Sequence, residues 1–580
     1  MKIPSLRARP FHLHLQGESS IWINDDIRPL PPSRRLWDTW AYLSFWAINQ
    51  IALSNWQLGA ALIAVGLSVW QTMIAVIIGK IIISGVAICN GMVGATWHIG
   101  FPVLSRGIWG VWGSYIIIVQ RIVLSLTWFC VQSWTGGLCV SAVLSSIFPS
   151  FHNMHNTLPE SANTTTKLLT GWIVYNIITI PMLYIPPEKT RRLLFVMNLI
   201  SVVTLISMMT YVLSAAGGGG PLLSAPAKAQ SGSQLGWAIV QGITTVIGGI
   251  AVGLTNQTDY SRFARKPGDQ IFGQWFSILT LGTILPLFGC LTSSASIQLY
   301  GEAYWNPPDL LLHWLDADYN AKSRAAAFFG GCGLVVCQLA INTIDNAFSA
   351  GMDLAGLFPK YFNIRRGAYL ALIISIAMCP WELLASAGTF ISVMGACKSE
   401  IAFPFVETTK KSLLIIFNQD SVFLGPMCGI QICDYFIIRS RKMKLSDLYS
   451  PSPAGIYYYF RGVNPRAFAA WVCGWAPQLP GFVGNVNKSV TIPKACTEMF
   501  YLAFPLGLAI SFTIYLGLNK VFPPKGLGEY DDVDYYDTFT SEEAMKLGVS
   551  PLEKTDCAEK EEPASYSIDV KAMDAEVAAK

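Results

Sequence analysis

Apolar runs of about twenty residues recur along this chain. That is the length a helix needs to cross a bilayer core of roughly 30 Å. Twelve such runs stand out, at residues 39–66, 69–94, 112–148, 168–185, 193–214, 236–258, 271–297, 325–352, 367–380, 383–436 (interrupted), 467–486 and 497–521. Charged residues make up only 13% of the 580 residues, against about 25% in an ordinary soluble domain. The expected fold class is therefore an all-α integral membrane protein with about twelve transmembrane helices. Residues 1–36 read as a polar N-terminal segment without a short, cleavable apolar region, and residues 37–522 as the transmembrane domain. Residues 523–580 read as an acidic tail expected to be disordered.

Basic residues orient the spans. Arg34 and Arg35 precede span 1; Lys189, Arg191 and Arg192 follow span 4; Arg262, Arg265 and Lys266 follow span 6; Lys360, Arg365 and Arg366 follow span 8; Arg439, Arg441, Lys442 and Lys444 follow span 10. With twelve spans, all five clusters fall on one side, which the positive-inside rule assigns to the cytoplasm. Both termini are then cytoplasmic in a multi-pass plasma-membrane protein. The tail lysines Lys546, Lys554 and Lys560 are the expected contact with trafficking or ubiquitination machinery. Asn163-Thr164-Thr165, in an opposite loop, has the form of a glycosylation acceptor.

Nothing in the motif content suggests catalysis. No HExxH, G-x-S-x-G or paired catalytic His is present, and the 13 Cys form no CxxC pair. The reading is not an enzyme, with no catalytic residue, resident cofactor, metal site or nucleic-acid partner expected.

Polar groups at membrane depth are costly, so those present tend to face a cavity or a partner helix. Span 1 carries Asn49, Gln50 and Asn55, with no Gly or Pro nearby. Span 3 carries Trp128 and Gln132, four apart and so on one helical face. Span 6 ends in Asn256, Gln257, Thr258 and Asp259, and span 8 holds Asn342, Asp345, Asn346 and Asp353. On an α-helix Asn342, Asn346 and Asp353 share one stripe, with Asp345 about 100° away from Asn346. Polar clusters in spans 1 and 6, five spans apart, suggest inverted repeats of five spans each. The break expected in the first helix of each repeat is signalled moderately in span 6, by Gly248, Gly249 and Gly253, and poorly in span 1.

Seven ordered blocks carry a family resemblance: IRPLPPSRRLWDTW, LSNWQLGAALIAVGLS, GFPVLSRGIWGVWG, WFCVQSW, TNQTDYSRFARKP, DNAFSAGMDLAGLFPKYFNIRRGAY and SVFLGPMCGIQICDYF. The chain resembles nucleobase–cation symporter family 1, in its fungal uracil, uridine and allantoin permease branch, from about Trp22 to Phe522. Thiamine and nicotinamide riboside transporters are sister members. The resemblance implies a LeuT-like five-plus-five inverted repeat plus two C-terminal helices, and secondary active import of a flat heterocycle coupled to a cation. By the same resemblance Trp128 stacks on the substrate ring, Gln132 hydrogen-bonds its edge, and Asn346 completes the recognition. Asn342, Gln50 and Asn49 are further substrate-site candidates, and Met394 is the expected gate. A planar base offers a π-face and a donor/acceptor edge, which an indole and carboxamides suit.

The chain departs from the family pattern in three places. The Ser-Thr pair that ligates sodium in other members is Ala340 and Ile341 here. A co-transported proton is therefore expected over sodium, with Asp353 first, then Asp345 and Asp259, as the coupling group. The aromatic residue that bacterial members carry on span 6 is absent near Gly249 and Ile250, so the ring is expected to be stacked on one face only. Third, residues 397–420 interrupt span 10 with Lys398, Glu400, Glu407, Lys410 and Lys411. A retained intron is the favoured reading, since Cys397-Lys398-Ser399 can encode a splice donor and excision into the Asp420 codon keeps the frame. The expected function is proton-coupled import of uracil, allantoin, uric acid or uridine across the plasma membrane. Two alternatives remain: a thiamine or nicotinamide riboside importer, in which Asp259 or Asp345 would be the counter-charge, and a non-transporting sensor or inactive paralogue.

Overall fold

The computed structural model describes residues 22–227, 232–385, 421–486 and 490–551. Met394 and the interruption at 397–420 lie outside the described residues. Among those described, seven helices are long and apolar enough to cross a membrane unaided: Val69–Trp97, Ser114–Ile147, Arg191–Ala216, Asp269–Tyr300, Ala321–Leu357, Ser421–Ile438 and Ala503–Val521. These are spans 2, 3, 5, 7, 8, 10 and 12. Others are short or broken. Span 4 is the 17-residue helix Thr166–Met182 and span 9 the 14-residue helix Ile364–Ala377. Span 11 runs through Pro465–Trp475 and Leu479–Val486.

Span 1 is two helices, Thr39–Ile51 and Leu53–Val65, joined at an extended Ala52 (φ −60°, ψ 148°). No Gly or Pro makes this break. Asn55 reaches back and donates its side-chain amide to the Gln50 carbonyl (2.7 Å), and the Cys337 thiol on span 8 donates to the Ile51 carbonyl (3.5 Å). Side chains thus satisfy backbone acceptors that a continuous helix would satisfy itself. Span 6 breaks between Gly232–Gly248 and Ala251–Thr255, where its glycines signalled. The span is interrupted again at Asn256, before Gln257–Ser261, and there Asn90 on span 2 and Gln431 on span 10 donate to the Leu254 and Thr255 carbonyls (2.8 and 3.2 Å). The two breaks lie five spans apart, as the inverted-repeat reading requires.

Small residues let the spans close on one another. A Cβ on Gly136 would sit 2.2 Å from the Tyr175 ring, and one on Gly137 would sit 2.6 Å from the Trp172 Cα, so spans 3 and 4 touch backbone to backbone. The outward faces are apolar. Ile74, Ile77, Ile78 and Ile81 on span 2, and Phe195, Leu199 and Val203 on span 5, are exposed at helical spacing, as a lipid-facing stripe should be.

The basic clusters meet at one end. Arg34 pairs with Glu188 (2.9 Å), Arg191 and Arg265 both pair with Asp38 (2.7 and 3.8 Å), and Arg262 donates to the Asp26 carbonyl (2.6 Å). Asp26 also accepts from the Ile364 amide (3.0 Å) at the head of span 9. At the other end Asn163 donates to Glu382 (3.1 Å).

The disorder expected from residue 523 does not hold through residue 551. Val533–Asp534 pairs with Ser550–Pro551 as a short parallel sheet, and Ser541–Leu547 is a helix with a Thr540/Glu543 capping box. Phe539, Ala544 and Val549 are buried, and Glu543 reaches the Arg35 guanidinium (2.8 Å). The acidic composition masked a segment whose few apolar residues share a docking face and whose carboxylate finds a cation. Residues 552–580 lie outside the described residues.

Candidate functional site

A cavity opens where the breaks in spans 1 and 6 meet spans 2, 3 and 8. Trp128, Gln132, Asn346, Asn49, Asp345 and Lys80 are among its lining residues. Each of these six is positioned by a neighbour or by its helix.

Trp128 and Gln132 come from one face of span 3, as their spacing predicts. Gln132 accepts from Gln338 through its side-chain oxygen (2.8 Å), so its amide nitrogen is the group left for a guest. Trp134, two residues on, packs with Trp381 (ring centroids 5.6 Å apart) and Trp381 with Trp172 (5.2 Å), outside the cavity lining.

Span 8 winds as a π-helix over Asn342–Phe348. This corrects the single stripe expected of an α-helix. The wider turn resets the register by about one residue, or roughly 100°. Asn346 and Asp345 line the cavity. Asn342 lies behind, donating to the Phe129 carbonyl (3.3 Å) and accepting from the Asn346 amide (2.9 Å). The carbonyl oxygen of Asn346 is thereby left toward the cavity. Tyr260 from span 6 donates its hydroxyl to the Ile344 carbonyl (2.6 Å), an acceptor inside the π turn.

Asp353 follows the new register away from the cavity. It is fully buried against Arg121 on span 3, with Oδ2 3.1 Å from the guanidinium. Arg121 also donates to Thr255 (3.1 Å) and lies over the Phe101 ring (4.7 Å). Asp259 lies nearby, accepting from the Phe101 amide (2.8 Å), and it does not line the cavity either. Of the three carboxylates expected to carry the coupling proton, only Asp345 lines the cavity, where it accepts from Asn49.

Lys80 has no counterpart among the sequence expectations. It stands alone in the apolar run of span 2, near the middle of Val69–Trp97, and is 3% exposed. Its ammonium donates to Gln50 Oε1 (2.8 Å) and Asn55 Oδ1 (3.1 Å) at the break in span 1. Gln50, expected to touch substrate, lies behind the lining. It holds Lys80 on one side and donates to Asn49 Oδ1 (2.9 Å) on the other. A hydrogen-bonded chain therefore runs Asp345–Asn49–Gln50–Lys80–Asn55. The signal available was the lone charge in an otherwise apolar span, which is functional by default in a membrane.

Gly249 and Ile250 line the cavity without an aromatic, as expected, but Phe45, Trp46 and Tyr260 also line it. The expectation of one aromatic wall is corrected to this extent. Span 1 and the end of span 6 supply aromatic surface that the span 6 break itself lacks.

The family pattern described as "Permease for cytosine/purines, uracil, thiamine, allantoin" matches residues 29–402 and 406–507. The chain belongs to the nucleobase–cation symporter family. It is a multi-pass membrane transporter and not an enzyme. Among curated relatives, this transporter is 46% identical to the transporter aclS of Aspergillus oryzae, over 93% of this chain and 92% of that one. It is 33% identical to a thiamine transporter of Saccharomyces cerevisiae (91% and 84%) and 30% identical to the allantoin permease of the same yeast (89% and 78%). Its fold is that of Mhp1, a nucleobase-cation-symport-1 family transporter solved in a closed conformation with bromovinylhydantoin bound. The TM-score is 0.64 at 20% identity, covering 91% of this chain and 99% of that one.

Proposed function

We propose that this transporter is a proton symporter importing a planar nucleobase-like heterocycle, such as uracil, allantoin, uric acid or uridine, across the plasma membrane. The observation that carries the reading is the meeting of an indole and two carboxamides in one cavity. Trp128 offers a face for stacking, Gln132 an amide donor, and Asn346 a carbonyl acceptor. That set matches an imide or ureide edge, which alternates donors and acceptors. The basic ends that meet through Asp38 and Asp26 support cytoplasmic termini.

The coupling ion is read as a proton because Ala340 and Ile341 offer no side-chain oxygen to a sodium ion. Asp345 becomes the leading proton carrier in place of Asp353. It is a cavity-lining carboxylate whose partner is a neutral amide, whereas Arg121 holds Asp353 as an ion pair. A second reading, import of a cationic vitamin such as thiamine, is favoured by the same Asp345 acting as counter-charge.

Radiolabelled uptake in a permease-null host, with uracil, allantoin, urate, uridine and thiamine, tests the proposal. Concentrative, pH-dependent uptake of at least one neutral heterocycle is expected. Uptake that needs sodium, or none that Trp128→Ala reduces, would defeat it.

A further inference from the structure

Lys80 is a buried cation with no carboxylate partner among the described residues. Its two protein contacts are carboxamide oxygens, Gln50 Oε1 and Asn55 Oδ1. An ammonium has three N–H donors, and among the described residues no protein acceptor takes the third. The side chain also has little freedom. A Cβ on Gly282 would sit 2.9 Å from Lys80 Cε and 2.4 Å from Gln50 Oε1, so the span 7 backbone is pressed against both. A charge at this depth is expensive unless it faces a cavity or a partner. Lys80 lines the cavity.

We propose that Lys80 determines substrate specificity, its free N–H anchoring an anionic or strongly accepting edge of the guest. The inference rests on the cavity being the substrate site. The class selected is a heterocycle bearing an ionised or acidic imide or ureide flanked by carbonyl oxygens. A heterocycle with a fixed positive charge is disfavoured, because it would meet an ammonium that no carboxylate neutralises directly. Asp345 does not cancel that field at contact, since Asn49 and Gln50 stand between the two groups. The cavity is instead polarised, with its positive pole at the break in span 1 and its negative pole on span 8. The two poles divide the work: Lys80 holds the anionic or accepting edge, and Asp345 accepts the proton that offsets the added negative charge.

The test is equilibrium binding to the purified full-length transporter, read by ligand-induced thermal shift and by radioligand competition with urate, uracil, allantoin and thiamine. Wild-type protein is expected to prefer urate over thiamine. Lys80→Gln, which keeps polar contact with Gln50 and Asn55 but removes the charge, should weaken urate about tenfold or more, as loss of a charged hydrogen bond does. Uracil should weaken less, thiamine should hold or tighten, and Lys80→Arg should restore the urate preference. Should Lys80→Gln not fold, Gln50→Glu keeps the lysine and sets a carboxylate at its contact, and it should erase the same preference. Equal weakening of all four ligands in whichever variant folds makes Lys80 a scaffold and overturns the inference alone. Wild-type binding of thiamine but not of urate, uracil or allantoin overturns the inference together with the leading functional reading and leaves the vitamin importer. Wild-type protein that binds none of the four overturns both this inference and the proposed function.

Discussion

Two of the buried charge clusters in this bundle are built differently. In one, between spans 3 and 8, Arg121 and Asp353 meet directly at 3.1 Å, both fully buried. In the other, Lys80 and Asp345 both line the cavity and are kept apart by Asn49 and Gln50. A direct pair compensates its own burial and presents no net charge to a ligand. A pair separated by amides leaves each charge a free valence that solvent or substrate can use. The contrast identifies the first cluster as a clamp between spans and the second as the chemical part of the cavity.

The largest effect should come from breaking the clamp. Asp353→Asn removes the carboxylate in contact with the buried Arg121 guanidinium and leaves, among the described residues, only Asp259 near that charge, a loss that costs about 3 kcal/mol. Thermal unfolding in detergent and the yield of surface-exposed protein measure it. A mutant as stable as wild type that binds substrate yet cannot concentrate it would return the coupling role to Asp353 and erase the distinction between the clusters.

Next in size is Trp128→Ala. It removes the stacking face while leaving both charge clusters intact, and substrate affinity should fall about tenfold to a hundredfold with little change in unfolding temperature. Saturation binding and unfolding, measured on the same preparation, check the pair of outcomes.

Asp345→Asn is the cavity counterpart of Asp353→Asn. Its Asn49 partner is neutral and no cation is stranded, so the stability change should stay below about 1 kcal/mol. Binding of neutral heterocycles should persist while proton-driven accumulation is lost, as read by uptake against an imposed pH gradient. Loss of folding here would make this cluster a clamp as well.

The smallest effect belongs to the docked tail, whose ion pair resembles the clamp but keeps a partly exposed carboxylate. Burial raises the Glu543 carboxyl, but the nearby His98 ring (3.8 Å) and hydrogen bonds from the Thr540 amide and Arg35 outweigh it and bring the group down to about 2. A depressed carboxylate stabilises the docked form above its unfolded value of about 4.5. That stabilisation fades as pH falls from about 5 toward 2. Near neutral pH the tail should stay docked, and acidification should expose it to protease. Glu543→Gln should expose it already at neutral pH, with transport little changed.

Some of this was legible from residue order alone. The long apolar runs read correctly as a membrane transporter bundle, because bilayer thickness and the cost of burying charge act on local sequence. Trp128 and Gln132 emerged together because α-helical spacing holds across span 3. The glycines of span 6 announced its break. Span 8 misled, since a π turn shifts every later residue and nothing in NTIDNAF marks it; Asp353 therefore left the stripe it was assigned. The acidic tail misled for the opposite reason, as composition outweighed three apolar residues that happen to share a face.

Residue order by itself determined the class of protein, the family blocks and the aromatic–amide pair on one helix, all properties of runs and short spacings. Tertiary structure alone decided that span 1 breaks at Ala52, that Asp353 pairs with Arg121 away from the cavity, and that Lys80 lines the cavity beside Gln50 and Asn55. Each of these depends on side chains from spans distant in sequence satisfying a backbone or charged group at depth. Water is scarce there, so the partner that arrives fixes both the geometry and the charge.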